Sequence, residues 1–430
     1  MQRLIRFFGF VVFLAVSTQL LFGATLQVGT CNAVAAKYEY KTIQAAINAA
    51  VSGATINVCP GTYAEQITIT RPLTLEGITS GTGNAAVIVP PTGGLVAGLN
   101  DPVSGTPIAA QLYVTGATGV NLTNLVVDGA NNGVPTDCST DLAGIYYENA
   151  SGTIHRVVTR NQMLESSMNG CNTGLGIWIM SAGGGVSGVS VTGSTIHNYQ
   201  KGGIVGNMSG TTLTARGNSV LGMGSATGAT QNGIQIGYGA TGVIKSNYVA
   251  DHDWYQSSPT TWSASGILVY AAHGVTISGN AVVDNQTSIV VMTAETDADR
   301  AAVTSNHVYG THIFDAIDLC SDHNTVTGNA VDTADSGGIH LDSTCSSGSY
   351  VSGTGNTVEL NTVNEACAGV LGNASGNTIS GNSFFNTTYT TLAGDVCPPV
   401  EAGVKSDALM VMAPEESHVT AQARYVPSQP

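Results

Sequence analysis

One phrase recurs along most of this chain, and it restricts the fold more than any other feature. It reads Gly-Ile-x-apolar, a turn, apolar-x-apolar-x-Gly-Asn, and then a variable stretch. The first element stands at Gly144, Gly176, Gly203, Gly233, Gly266, Ser288, Ala316, Gly338 and Gly369, every 22 to 33 residues. The second ends at Asn218, Asn247, Asn280, Asn306, Asn329, Asn361 and Asn382. Within each element apolar residues alternate, as on a strand whose side chains point to opposite sides. Units this short cannot bury a face alone, so neighbours must stack into a solenoid. The expected fold is all-β, a single-stranded parallel β-helix with rungs about 4.8 Å apart. Gly and Asn suit its turns because both tolerate left-handed backbone, and Asn can stack as a hydrogen-bonded ladder. A β-propeller needs blades of about 40–45 residues with an aromatic signature, and neither occurs.

Composition agrees. The chain has 430 residues, 54 of them Gly, and only 10% are charged against a usual level of about 25%. That excludes a coiled coil and a charge-rich helical repeat. With 13 basic and 28 acidic residues the net charge is −15, which disfavours nucleic acid as a partner, since phosphate binding requires a basic surface.

Residues 1–24 read as a secretory signal: Arg3 and Arg6, then the apolar run Phe7–Val16, then small residues at Gly23 and Ala24. No later segment approaches a membrane span. The expected organisation is a signal at 1–24, a β-helix over 25–397 and a loose tail at 398–430. Residues 41–52 are amphipathic, with Ile43, Ala46, Ile47 and Ala50 on one face, and form a helix capping the rod. Residues 90–110 read as a long loop. The cysteines are Cys31, Cys59, Cys138, Cys171, Cys320, Cys345, Cys367 and Cys397. An even number behind a secretion signal implies four disulfides among 105 connectivities. Spacings of about one coil favour pairing in sequential order.

The segment TIQAAINAAVSGATINVCPGTYAEQITITRPLTLEG, at 42–77, resembles the N-terminal cap and first coils of the pectin-lyase-like superfamily. That resemblance implies a right-handed β-helix over nearly all of the mature chain. Gly61-Thr-Tyr-Ala-Glu65 is similar to a Gly-x-Tyr-x-Glu phrase of pectin methylesterases, where the Glu belongs to the start of the fold. The catalytic motifs of methylesterases, polygalacturonases and mannuronan epimerases are missing, so no activity transfers residue by residue.

Chemistry must then be sought on the outward positions. After each Gly-Ile the first outward column reads Tyr146, Trp178, Val205, Gln235, Leu268, Val290, Asp318, His340 and Leu371. The second includes Glu148, Met180, Asn207, Gly237, Tyr270, Met292, Cys320 and Asp342. Asp318, His340 and Asp342 therefore fall on adjacent rungs of one outer face, with Asp315, Asp322, His323 and Asp335 in flanking loops. A His beside carboxylates can act as acid or base with its tautomer fixed; here His340 is the expected acid/base, Asp342 its orienting partner and Asp318 a second carboxylate. The same oxygens could hold Ca²⁺. A merely polar patch accounts for these residues as well.

Two further groups are candidates for substrate binding. Asp251, His252, Asp253, Trp254 and Tyr255 open an expected loop over the face of Trp178 and Tyr270, where aromatics suit sugar stacking. Arg216 and Lys245 each precede the repeat Asn by two residues, so they should be neighbours on adjacent rungs. Such a basic pair could stabilise an enolate-like intermediate in β-elimination. The leading expectation is a secreted or periplasmic β-helix that binds a polysaccharide and, if it is an enzyme, cleaves it as lyase or glycoside hydrolase. The alternatives are a non-catalytic structural or adhesive envelope protein and a periplasmic metal-handling β-helix. Oligomeric state is not legible.

Overall fold

The computed structural model describes residues 25–31, 39–79, 85–164, 171–226, 229–254, 263–292, 300–343, 353–372 and 375–398. The signal expected at 1–24, all but Pro398 of the tail expected at 398–430, Tyr255 and Cys345 lie outside the described residues. No described helix is long and apolar enough to cross a membrane.

Each coil contains three strands where the repeat suggested two. The coil of Ser187–Thr192, Thr195–Tyr199 and Gly202–Asn207 illustrates the plan. We name its three sides face A, face B and face C. Face A carries the apolar-x-apolar-x-Gly-Asn element, and face C carries Gly-Ile-x-apolar. Face B follows the repeat Asn, in the stretch expected to be variable loop. Equivalent strands pair in parallel from coil to coil. Face A is a sheet of fourteen described strands; faces B and C join into one of 23, because strands such as Ala330–Leu341 run from one into the other. The 90–110 segment is not all loop. Leu99–Asn100 pairs antiparallel with Pro107–Thr115.

Inward residues of all three faces form one continuous core, from Leu26 and Val28 through Ile204, Ile236, Ile267 and Val303 to Val370. The column of Gly residues opening face C is a packing requirement. A Cβ on Gly144, Gly176, Gly203 or Gly233 would lie 2.4–2.7 Å from the carbonyl oxygen of the next glycine in the column. The asparagine ladder forms as expected. Asn218, Asn247, Asn280, Asn306, Asn329 and Asn361 each donate a backbone and a side-chain N–H to the Oδ1 of the next, at 2.9–3.0 Å. A second, shorter ladder runs Asn324, Asn356, Asn377 at the start of face A.

The cap helix spans Ile43–Ala49 and buries Ile43, Ala46 and Ile47. Thr42 Oγ1 accepts from Ala45 N, and the Glu65 carboxylate accepts from Ile43 N at 2.7 Å and Gln44 N at 2.9 Å. Glu65 thus satisfies amide donors that a first helical turn leaves unpaired. Its role is structural. Disulfides join Cys31–Cys59, Cys138–Cys171 and Cys367–Cys397, in sequential order as the coil spacing suggests. Cys320 is disulfide-bonded as well.

Candidate functional site

The register of face C reproduces the expected column: Val290 is opposite Asp318, Asp318 opposite His340, and His340 opposite Leu371. Asp318 and His340 are therefore rung neighbours, with Asp342 two positions further along the strand line. What differs is exposure. Asp318, His340 and Asp342 were expected on an open face, yet they are 1%, 0% and 0% exposed. The C-terminal segment 393–398, tied by Cys367–Cys397, returns across this face. It places the Asp395 carboxylate 3.4 Å from His340 Nε2 and 3.1 Å from Ser343 Oγ.

Asp315, expected in a flanking loop, is the partner that orients His340. Its Oδ2 lies 2.9 Å from His340 Nδ1, and its Oδ1 accepts from Gly337 N at 2.6 Å. Asp342 does not fill that role. Burial alone would discharge His340, but the Asp315 carboxylate outweighs it and holds the imidazole well above its usual range. Burial would likewise raise Asp315, and the imidazolium charge keeps it low. The two form an ion pair. Asp318 goes the other way: burial, and then the charge of Asp342, push its carboxyl well above the ordinary range. Asp395 is partly desolvated, but its hydrogen bond to His340 and that residue's charge hold it low. One buried site thus pushes the Asp318 carboxyl up and holds those of Asp315 and Asp395 down, the separation from which acid and base roles are read.

Two groupings place one ligand atom per residue within 4.8 Å of one another: Asp315, Asp318 and His340, and His340, Asp342 and Asp395. Asp318, Cys320 and Asp342 lie equally close. The Cys320 sulfur is in a disulfide, so it offers no thiolate, and its 3.7 and 3.6 Å approaches to Asp318 and Asp342 are packing contacts.

The remaining candidates do not join this cluster. Arg216 and Lys245 are register partners, exposed as expected, but on face A. Asp251, His252, Asp253 and Trp254 belong to the strand Tyr248–Trp254 on face B, not to a loop over face C. His252 points into the coil and is fully buried. Its Nε2 meets the Tyr199 hydroxyl and its Nδ1 lies 2.7 Å from Asn285 Oδ1, so it is a satisfied core histidine. Trp178 is no open stacking platform either. It is fully buried against Tyr146, at 4.7 Å between ring centroids, in an apolar cluster on the outer side of face C. Tyr270 is half-buried and packs on Tyr238 at 5.1 Å. An open trough of about 470 Å³ lies elsewhere, on face B beside Thr62, Val87, Val126 and Arg160; Arg160 is engaged there with Asp128 at 2.7 Å.

His252 carries a pH prediction. Burial lowers its pKa to about 4, below the unfolded value of about 6.5. A depressed histidine stabilises the fold above the unfolded pKa and loses that contribution as pH falls toward the folded one. Acidification from pH 7.5 to 5 should therefore remove about 2 kcal/mol through this residue. Chemical denaturation at several pH values should show a smaller loss in His252→Gln than in the parent.

The crystal structure of native GH136 lacto-N-biosidase from Eubacterium ramulus superposes with a TM-score of 0.56 at 13% identity, over 84% of this chain and 67% of that one. Its selenomethionine derivative gives 0.53, also at 13%, over 86% and 67%. The chain has the right-handed parallel β-helix fold. At such identity the likeness is one of fold. The mannuronan C-5 epimerase A-module of Azotobacter vinelandii (AlgE4) aligns at 14% identity over 81% of this chain and 92% of that one, with a TM-score of 0.43. A family model described as periplasmic copper-binding protein (NosD) matches residues 187–396 of this β-helix. No curated protein matches it in sequence.

Proposed function

We propose that this β-helix is an extracytoplasmic glycan-cleaving protein whose reaction centre is the buried cluster of Asp318, His340 and Asp342 on face C. What supports this reading is a set of buried carboxyls around one oriented imidazole, with Asp318 pushed up and Asp315 held down. Asp318, kept neutral, donates its proton to the leaving glycosidic oxygen. Asp342 is the second carboxyl, two positions beyond His340 on the same strand line, and its charge is one cause of the raised Asp318. His340, clamped as a cation by Asp315, acts as a hydrogen-bond donor through Nε2 rather than as the base first assigned to it; Asp342 attacks the anomeric carbon as the protonated oxygen leaves, and water then releases the sugar from this glycosyl ester with Asp318 as base. Oxygen atoms of Asp318 and Asp342 within 4.8 Å of each other suit a retaining mechanism, whose carboxyl groups stand about 5–5.5 Å apart. The lacto-N-biosidase likeness supports a glycan as substrate, and the disulfides support an oxidising compartment.

Incubation with a panel of reducing-end-labelled oligosaccharides tests this. Cleavage with retained anomeric configuration, lost at least 10³-fold in Asp342→Asn, is the expected result. No turnover on any member would leave the structural or adhesive reading.

Asp395 must move for a glycan to reach His340. Cys367→Ser with Cys397→Ser is expected to loosen the segment bearing it. Hydrogen exchange at the Ser343 amide, which donates to Asp395 at 3.5 Å, should then quicken at least tenfold. Unchanged exchange would mean that the disulfide does not hold the segment down.

The copper-binding description of the NosD match favours a second reading. The cluster, however, offers carboxylate oxygens and a single imidazole whose Nδ1 already faces Asp315. Such a donor set suits a hard cation such as Ca²⁺ better than copper.

A further inference from the structure

The outer surface of face B divides its charge along the rod. Arg216 and Lys245, on adjacent rungs at the corner with face A, are both exposed. Neither side chain has a partner among the described residues. Further along, at the opposite edge of face B, Asp335 and Glu365 are exposed and have no cation beside them among the described residues. Between the two charged ends lies an open apolar patch. Tyr248 and Tyr309 are 45% and 49% exposed, and Ala281 and Val283 between them are half-buried. Tyrosines this open are uncommon on a face that packs against nothing, and they are enriched where proteins meet.

The register relates these features by symmetry. Val220, Val249, Val282, Val308 and Val331 form one buried column of face B on successive rungs, with Val282 in the middle. Tyr248 immediately precedes Val249, one rung to one side of Val282. Tyr309 immediately follows Val308, one rung to the other side. Arg216 stands four residues before Val220, and Asp335 four residues after Val331, at the two ends of the column. A two-fold axis through Val282, perpendicular to the face, therefore exchanges Tyr248 with Tyr309 and Arg216 with Asp335. An isologous contact has this property: the same strip on both copies, each residue meeting its symmetry counterpart.

We infer that face B, centred on Val282, joins two copies of this chain side by side and antiparallel. Tyr248 of each copy meets Tyr309 of the other at the centre, and Arg216 meets Asp335 at the rim. Exposed ion pairs add little affinity, but they set orientation. A parallel arrangement would place basic half on basic half and acidic on acidic. A polyanion would suit the corner of Arg216 and Lys245 and be repelled by the other half; a second copy matches both. A strip of seven rungs, from Thr195 to Thr362, is about 29 Å long and about 15 Å wide, on the order of 450 Å² per copy. That is at the small end of specific interfaces, so the association is weak and reversible. The contact uses face B, and face C with its acidic cluster stays uncovered.

Sedimentation velocity from micromolar to millimolar protein tests this. The expected result is a reversible dimer. Every substitution acts twice in it, so Tyr248→Ser, Arg216→Asp and Asp335→Arg should each weaken association about tenfold or more. All three residues are at the surface, so the melting temperature should stay within a few degrees. Arg216→Asp combined with Asp335→Arg in one chain re-forms both rim pairs with reversed sign and should recover most of the lost affinity. A protein that stays monomeric at millimolar concentration overturns the inference. So does a dimer that either Tyr248→Ser or the single charge reversals leave unchanged, or a double reversal that binds no better than the single ones. None of these outcomes bears on the glycan-cleaving reading.

Discussion

Asp318→Asn should make the protein more stable at pH 7 and abolish cleavage, whereas Asp315→Asn should damage both. The two carboxyls lie in one buried cluster, so the opposite signs are diagnostic. Asp318 has a folded pKa raised by burial and by Asp342. A raised group contributes stability below its unfolded pKa, near 4, and gives it up as pH climbs toward the folded value. Asn removes that penalty, and a gain of about 1–2 kcal/mol is expected, together with loss of the proton that the leaving oxygen needs. Asp315 is the reverse case. Its pKa is lowered by His340, and His340 is raised by it. The pair is therefore fully present between the unfolded Asp and His values, about pH 4 to 6.5. It fades as acid protonates Asp315 and as base discharges His340. Breaking one side of a buried ion pair costs about 3–5 kcal/mol. Denaturant titrations of the three proteins from pH 4 to 9, beside a cleavage assay, decide the matter. A patch of ordinary polarity would show neither the stabilisation nor its coupling to lost activity.

How much of this was legible in the sequence depends on where each residue's position is encoded. The pairing of Asp318 with His340 was legible because Ile317 and Ile339 anchor their strands to the core, and the phase of two then fixes what lies beside them. Burial of that column was not, since what covers it comes from outside the repeat. Asp395 lies past the last repeat Asn, and only the spacing of Cys367 and Cys397 hinted at a segment folding back. Asp315 sits at the turn before its strand, where no periodicity assigns a direction. The face B strands were missed because they vary from three residues, as in Ala281–Val283, to eight, as in Ser219–Ala226. Without their phase, His252 could not be known to point inward.

The asparagine ladder was legible and should dominate the energetics. Asn280→Ala in the middle of the rod is expected to cost about 3–5 kcal/mol, against about 1 kcal/mol for Asn382→Ala at its end. Asn280 Oδ1 accepts from both N–H groups offered by Asn247, while its Nδ2 donates to Ile244 O and to Asn306 Oδ1. Alanine removes all four bonds and leaves Asn247 with two donors and Ile244 with a carbonyl in a site that is 1–2% exposed. Asn382 accepts from Asn361 and donates to Val358 O, but it is only half-buried, and water can replace what is lost. Asn280→Asp should not rescue the variant, because it keeps the acceptor, lacks the donor and sets a carboxylate against Asn306 Oδ1. A break at the centre also separates the coils on either side, whose stability depends on their neighbours. Urea unfolding followed by circular dichroism should therefore show a shallower transition for Asn280→Ala, and an unchanged slope for Asn382→Ala. Equal costs at both positions would mean that the ladder acts as independent turns rather than as one hydrogen-bonded spine.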